Sequence, residues 1–408
     1  MGASEITEPS LDDPASRPRV VLLPGRHKRV KAGHPWAYSN EIVMDQATKR
    51  LPPGGTVELM SDAGESLGVA FFNPHSLVAL RLLAPDSRTV IDQAFLTARL
   101  RRALELRQRL FDQPYYRLVH AEGDGLPGLV IDRYGDVLVC QLNAAGIDRL
   151  RGPLLAAVER LLEPATVVLR NDGALRALEG LEAEVEVRGA ALDGPVRLKE
   201  NGVEFHVDLA GGQKTGWFFD QRRNRAFVAA LAKDARVLDL YCFTGGFGVQ
   251  AAVAGAREAT LVDRSAAALA LAERAARANR VAERCRFVKA DAFAEMERRA
   301  DRGQRFEVVI ADPPAFVKSR KDLQAGLKGY RKLTRLAARL VEPGGFLFLA
   351  SCSHNVAADA FQQQVSRGLS AARRRGRIIR VAGAGPDHPI HPQLPESAYL
   401  KSLVVQLD

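Results

Sequence analysis

From about residue 197 the chain alternates apolar strand segments with helical ones, and this rhythm restricts the fold more than any other feature of the sequence. The segments RVLDLY, ATLVDR, CRFVKAD, FEVVIADPP and GGFLFLASCS each lead into helical sequence or a loop. Strands in βαβ order run largely parallel, because each crossover helix returns the chain to the same end of the sheet, and the helices cover both faces. The fold class expected is α/β, with a Rossmann-like domain over residues 197–408. Its ligands belong at the carboxyl edge of the strands.

Upstream the texture differs. Residues 1–17 combine Pro, Ser, Asp and Glu with few large apolar side chains, so a disordered tail is expected there. Over 18–90 the short runs VVLL, TVELM, LGVAFF and LVALRLL, punctuated by Gly, Pro and Asp, predict a small β-rich domain. Over 91–196 a mixed α+β domain is expected. It has Asp92 as N-cap of a helix carrying Phe95, Leu96, Leu100 and Leu104, then strands, and a helix at 148–162.

A formal net charge of +10 attracts polyanions, although a solvated Arg-rich surface explains it equally well. Arg26, Lys28 and Arg29 precede Trp36 and Tyr38, which joins phosphate attraction to stacking surfaces; Trp36 also suits a small β core. No apolar run approaches the ~20 residues that cross a bilayer, and the first residues lack the pattern of a secretory signal, so no membrane partner is expected. Four scattered cysteines give neither metal spacing nor a disulfide framework and point to a reducing, cytoplasmic setting. His388 and His391 in DHPIHP make a poor zinc pair, so no metal is expected.

In the C-terminal domain, RVLDLYCFTGGFG runs from a strand into a turn at Gly245, Gly246 and Gly248 and then a helix, which lets a ligand approach the backbone closely. An ordinary strand-to-helix turn would read the same way. Successive strands end in Asp239, Asp263 and Asp291, and carboxylates at this edge accept hydrogen bonds from a nucleoside's ribose and adenine. Gly246, Gly248 and Ala251 also satisfy G-x-G-x-x-A, so nicotinamide cofactors have to be weighed.

At DPPAF, residues 312–316, the sequence resembles the fourth motif of class I methyltransferases acting on nucleobases. With PGRHKRVKAGHPWAYSNEI, HAEGDGLPGLVIDRYGDVLVCQ, KTGWFFDQRRNR, LDLYCFTGGFG, SCSHN and PESAYLK in one order, the chain resembles the bacterial 23S rRNA cytosine-5 methyltransferases that carry an N-terminal PUA domain. The resemblance implies a PUA domain, a central domain and a C-terminal class I methyltransferase domain. It favours S-adenosylmethionine over NAD, and it names RNA, specifically 23S rRNA, as the partner, with a homodimer left open. It places Asp220, Arg222, Asp239, the glycines, Asp263 and Asp291 at the cofactor, and Pro313, Pro314 and Phe316 beside the base. Lys214 and Arg225 receive no chemistry.

Cytosine C5 is a poor nucleophile, so a thiolate must add to C6, and Cys352 at a strand end is the residue suited to that step. Asp312 could hydrogen-bond cytosine N3 and N4. DPPAF holds no second cysteine to assist release, and the base that takes the C5 proton stays open. Two rivals stand beside this reading: methylation of an exocyclic amine, which needs no thiol, and a noncatalytic RNA-binding or assembly factor that keeps the fold.

Overall fold

In the computed structural model, which describes residues 12–212 and 215–408, the first five strands form one sheet in the order β1-β3-β4-β5-β2. They are β1 (Arg19–Val21), β2 (Trp36–Ala37), β3 (Gly55–Met60), β4 (Ser66–Phe72) and β5 (Leu80–Ala84). The next five are β6 (Tyr115–His120), β7 (Leu129–Tyr134), β8 (Val137–Leu142), β9 (Thr166–Asn171) and β10 (Glu184–Gly189). They form a second sheet, ordered β10-β9-β8-β7-β6.

Both sheets belong to one compact unit, made of the described residues up to Gly194 with Leu209–Gly216 and Asp387–Ser397. Strand β4 explains why. Successive side chains of a strand point to opposite faces: Ala70 and Phe72 join a core with Val20, Val57 and Leu80, while Val69 and Phe71 join another with Leu96, Leu100 and Leu118. Gly146 is required under Phe71, since a Cβ there would lie 2.0 Å from the ring. The boundary expected near residue 90 therefore separates two sheets that share a strand's two faces.

Asp92 caps the helix Gln93–Leu110, its Oδ1 accepting from Phe95 N at 2.8 Å. The helix expected at 148–162 is two: Ala145–Arg149 and Arg151–Leu162, broken at Leu150. Pro153, in the first turn of the second, lacks the N–H that would continue the first.

Part of the expected disordered tail is ordered. Asp12 and Arg17 form a buried ion pair, and Asp12 also accepts from Thr56 Oγ1 at 2.8 Å and Ile91 N at 2.7 Å. Composition counts apolar side chains and misses a carboxylate whose lone pairs are all satisfied. The rest of that tail, residues 1–11, lies outside the described residues, as does Lys214. Further along the unit, fully buried Arg107 bonds Asp124 Oδ1 and Oδ2 at 2.5 and 2.8 Å and Asp387 O at 2.8 Å. Asp387 in turn contacts His388 Nδ1 at 3.1 Å, which gives this histidine a packing role.

The second unit contains Pro195–Asp208, Trp217–Pro386 and Ala398–Asp408. The hairpin β11 (Val196–Glu200) and β12 (Val203–Val207) precedes seven strands: β13 (Arg236–Leu240), β14 (Glu258–Asp263), β15 (Cys285–Lys289), β16 (Phe306–Ala311), β17 (Val341–Ser351), β18 (Gly376–Ala382) and β19 (Lys401–Leu407). The order is β15-β14-β13-β16-β17-β19-β18, parallel through β17, with β19 antiparallel to both of its neighbours. β13 lies between β14 and β16, so the strand order reverses beside it, where open sheets part to admit a ligand.

Glu200 ends β11 fully buried and gathers three distant segments. It accepts from Arg225 at 2.8 Å, Trp217 Nε1 at 2.9 Å and Gln250 Nε2 at 3.1 Å. Glu200→Ala strands the buried Arg225 guanidinium, and removing one partner of such a pair costs about 3–5 kcal/mol. Urea unfolding followed by tryptophan fluorescence should show a loss of that size in the transition that includes this unit.

Candidate active site

The carboxyl edge of the sheet is built around Asp239, the penultimate residue of β13. Its Oδ2 accepts from Gly248 N at 2.8 Å, tying the strand to the first turn of the helix Gly246–Val253. The contact requires glycine: a Cβ at Gly248 would lie 2.7 Å from Leu261 Cγ and 3.1 Å from that carboxylate oxygen. Gly246 is constrained similarly, because a Cβ there would meet Arg225 Nε at 2.6 Å. Arg225 is thus a buried structural ion pair whose guanidinium also lies 4.3 Å over the Trp217 ring.

Between strand and helix the chain passes through Tyr241 at φ 61°, Phe243 at φ 51° and Gly245 at φ 84°. Left-handed backbone at a bulky residue costs roughly 1–3 kcal/mol and persists only where the surroundings enforce it. Asp263 is one enforcer, its Oδ2 accepting from Phe243 N at 2.9 Å and its Oδ1 from Ser265 N at 2.8 Å. Asp291 is exposed and caps the helix Ala292–Asp301 through Phe293 N and Ala294 N.

Burial pushes the Asp239 carboxyl up to about 8; Gly248 N–H opposes the rise, and the nearby charges of Asp312 and Asp263 add to it. Asp239 Oδ1, Asp220 Oδ1 and Thr244 Oγ1 are all buried without a hydrogen-bond partner among the described residues. Unsatisfied buried polar atoms are rare in native proteins. A ligand offering a cation and hydroxyl groups would satisfy them, so the residues present fit an amino-acid nucleoside such as S-adenosylmethionine.

Asp220 Oδ2 accepts from the Tyr399 hydroxyl, and Arg222 lies 3.6 Å from Glu200 and over the Phe219 ring. Asp312 follows β16, and its Oδ2 accepts from Gln221 Nε2 at 2.9 Å. Pro313 is buried and Pro314 exposed. Phe316, expected beside the base, packs into an aromatic cluster, 4.8 Å from Tyr330 and 6.2 Å from Phe293, and is partly exposed. The reason is local. Gly329 on the helix Leu323–Arg339 leaves room for the ring, where a Cβ would approach to 3.1 Å.

Cys352 follows β17 at the same edge and is partly exposed, whereas Cys140, Cys242 and Cys285 are buried. Burial pushes the Cys140 and Cys285 thiols up to about 12 and that of Cys242 well above its ordinary value. Ser353 Oγ accepts from Val317 N at 3.2 Å and pairs with the Tyr330 hydroxyl at 2.8 Å, which also receives Ser351 Oγ at 2.8 Å. The loop after DPP and the turn bearing Cys352 are thereby tied together. Lys401 Nζ donates to Ser353 O at 2.7 Å, and exposed His354 stacks on Tyr399 at 5.1 Å.

Sequence reasoning left Gln221, Tyr330, Ser353, Tyr399 and Lys401 unassigned. The signal available was the pair of serines bracketing the cysteine in SCS, since buried hydroxyls need partners. Of the basic residues expected to meet RNA, Arg26 and Lys28 are exposed, but Arg29 is engaged by Glu41 at 2.6 Å and lies over Tyr38. Trp36 donates to Glu122 at 2.8 Å and is partly exposed. Among the described residues no cluster of three metal-binding side chains occurs, and no helix is long and apolar enough to cross a membrane.

This strand order, strained glycine turn and acidic edge define a class I, S-adenosylmethionine-dependent methyltransferase. The model of the S-adenosylmethionine-dependent methyltransferase family matches residues 185–404, and that of the PUA-like domain matches residues 20–85. The proteins named ribosomal RNA large subunit methyltransferase I from Pseudoalteromonas atlantica and Tolumonas auensis are 36% and 37% identical to it. The alignments cover 95% of this chain and 99% and 98% of theirs. The chain belongs to the ribosomal RNA large subunit methyltransferase I family. SMU.776, a methyltransferase solved with S-adenosylhomocysteine bound, shares the fold with TM-score 0.82 at 22% identity, over 95% of this chain and 100% of that one.

Because folding raises the Asp239 pKa, the ionised carboxyl opposes folding, and the penalty grows as pH climbs from the unfolded value near 3.8 to the folded value of about 8. Asp239→Asn removes it. Without cofactor, the melting temperature of the variant relative to the parent should rise between pH 5 and 8 and then level off, as read by scanning calorimetry. A difference that is flat with pH would contradict a raised Asp239.

Proposed function

We propose that this chain methylates cytosine C5 in large-subunit ribosomal RNA, 23S in bacteria, forming 5-methylcytidine through a covalent bond between Cys352 and C6. The observation that carries the reading is the partly exposed thiol of Cys352 at the same sheet edge as Asp312 and Asp239, while the other three cysteines are buried. The names of the relatives support an RNA of the large ribosomal subunit as substrate. The thiols agree with a reducing cytoplasm.

Asp239, Gly245, Gly246, Gly248, Asp263 and Asp291, with Asp220 and Arg222, would hold the cofactor. When bound, S-adenosylmethionine supplies a methyl group made electrophilic by its sulfonium. Cys352 adds as thiolate to C6, which raises electron density at C5 so that C5 can take the methyl group; loss of the C5 proton then expels the thiolate. Asp312, held by Gln221, would face N3 and N4 of the ring and favour the cytosine adduct over that of uracil. Pro313 and Pro314 fix the backbone there in an extended turn. Exposed Arg26 and Lys28 of the PUA-like domain supply phosphate attraction, with Arg29 braced by Glu41.

Cys352→Ala should lower methyl transfer by about a thousandfold or more while leaving S-adenosylhomocysteine affinity within about twofold by calorimetry. RNA carrying 5-fluorocytosine at the target should trap the parent enzyme as a denaturant-stable adduct and should not trap this variant, since fluorine cannot leave as a proton. Nucleoside mass spectrometry of the product decides the alternative: methyl on an exocyclic nitrogen, made by a fully active Cys352→Ala enzyme, would replace C5 chemistry with amine methylation.

A further inference from the structure

The thiol invoked above has a cationic neighbour from a distant part of the chain. β19 pairs antiparallel with β17, and the register sets Lys401 opposite Ser351, the residue before Cys352. From there the Lys401 side chain reaches past the strand end and donates to the carbonyl of Ser353, the residue after Cys352, at 2.7 Å. Backbone pairing on one side and an ammonium bond on the other thus enclose residue 352 in a small loop closed by Lys401.

We propose that Lys401 is a positioning residue for Cys352, its ammonium held in the cysteine's turn so that it stabilises the thiolate that adds to C6. The inference rests on the reading of Cys352 as nucleophile and adds to it a cation fixed in the turn that carries the sulfur. Ser353 O is the sole hydrogen-bond acceptor of Lys401 among the described residues, which leaves two of its three N–H donors for a charged partner. Burial lowers the Lys401 pKa to about 8, and the charge of Cys352 opposes that fall. The ammonium is therefore present near neutral pH and is lost as pH rises through about 8, when its positive charge no longer favours the thiolate.

The other titratable groups around the pair are Tyr330, from the helix Leu323–Arg339, and His354 stacked on Tyr399, whose hydroxyl is bound to Asp220. Tyr330 is kept neutral by burial, its pKa being raised. Asp220 is the acidic member, and it is engaged through Tyr399. Among the described residues, Lys401 is the cation of this group.

The test is the pH dependence of iodoacetamide alkylation at Cys352, followed by peptide mass spectrometry on the full-length protein without RNA. Lys401→Gln keeps an N–H donor for Ser353 O and removes the charge, Lys401→Met removes both, and Lys401→Arg keeps the charge. The midpoint should rise by about one unit in the Gln and Met variants and stay near the parent value in the Arg variant. A loss of about tenfold in thiolate, partly offset by greater nucleophilicity, should slow alkylation at pH 7 by about threefold. Equal S-adenosylhomocysteine affinity would show that the variants are folded, and the Gln and Arg pair decides the question if Met does not fold. An unchanged midpoint in Lys401→Gln overturns the role of Lys401 and leaves the cysteine chemistry standing. A Cys352→Ala enzyme that still makes 5-methylcytidine overturns the cysteine chemistry and leaves the midpoint shift to report on the Lys401 pairing.

Discussion

The methyltransferase unit is organised around one buried carboxylate. Glu200 accepts hydrogen bonds from Trp217 in the stretch after the hairpin, Arg225 on the helix Arg222–Ala230 before the first parallel strand, and Gln250 on the cofactor-turn helix. Desolvating a carboxylate and a guanidinium is expensive, and such a pair adds little net stability over an apolar replacement. What it contributes here is position. The Arg225 guanidinium lies where a side chain at Gly246 would be, so the approach of the helix to the sheet edge is set by an ion pair that never meets a ligand.

At the edge itself, acidic groups crowd together in a chain whose net charge is +10. Asp239, Asp263 and Asp312 interact closely enough for the latter two to raise the pKa of the first. A buried carboxylate with two others acting on it is unfavourable by itself. These acids are in keeping with a cofactor that arrives carrying positive charge on both an amino group and a sulfur, because the same crowding then becomes attraction. The protein's overall positive field and its acidic edge therefore suit two partners of opposite sign, a polyanion and a small cation.

Much of this was legible from sequence because it is local or periodic. The parallel sheet follows from strand and helix alternation, the glycine turn from its spacing, and the acids from their places at or just beyond the strand ends. What escaped was long-range or satisfied by partners out of sequence view. Asp12 and Arg17 sit in a stretch with the composition of a tail, and partners far along the chain hold it, among them Thr56 and Ile91 for Asp12 and the carbonyls of Ser87 and Thr89 for Arg17. The packing of Phe316 on Tyr330 escaped as well, because it depends on glycines thirteen and ten residues further along, Gly329 and Gly326, that make room for that loop. The reach of Lys401 toward Ser353 depends on an antiparallel pairing across about 50 residues, which no window along the sequence contains.

The strand Ser66–Phe72 carries a consequence for how the N-terminal part of the chain behaves as a piece of matter. With Ala70 and Phe72 in one core and Val69 and Phe71 in the other, neither sheet can lose its packing without exposing aromatic surface belonging to its neighbour. The two sheets are thus expected to melt in a single cooperative step. For the same reason the PUA-like segment is no interchangeable cassette: it can be exchanged between relatives only together with the residues that line its second face, and drift at Phe71 must be answered at Gly146.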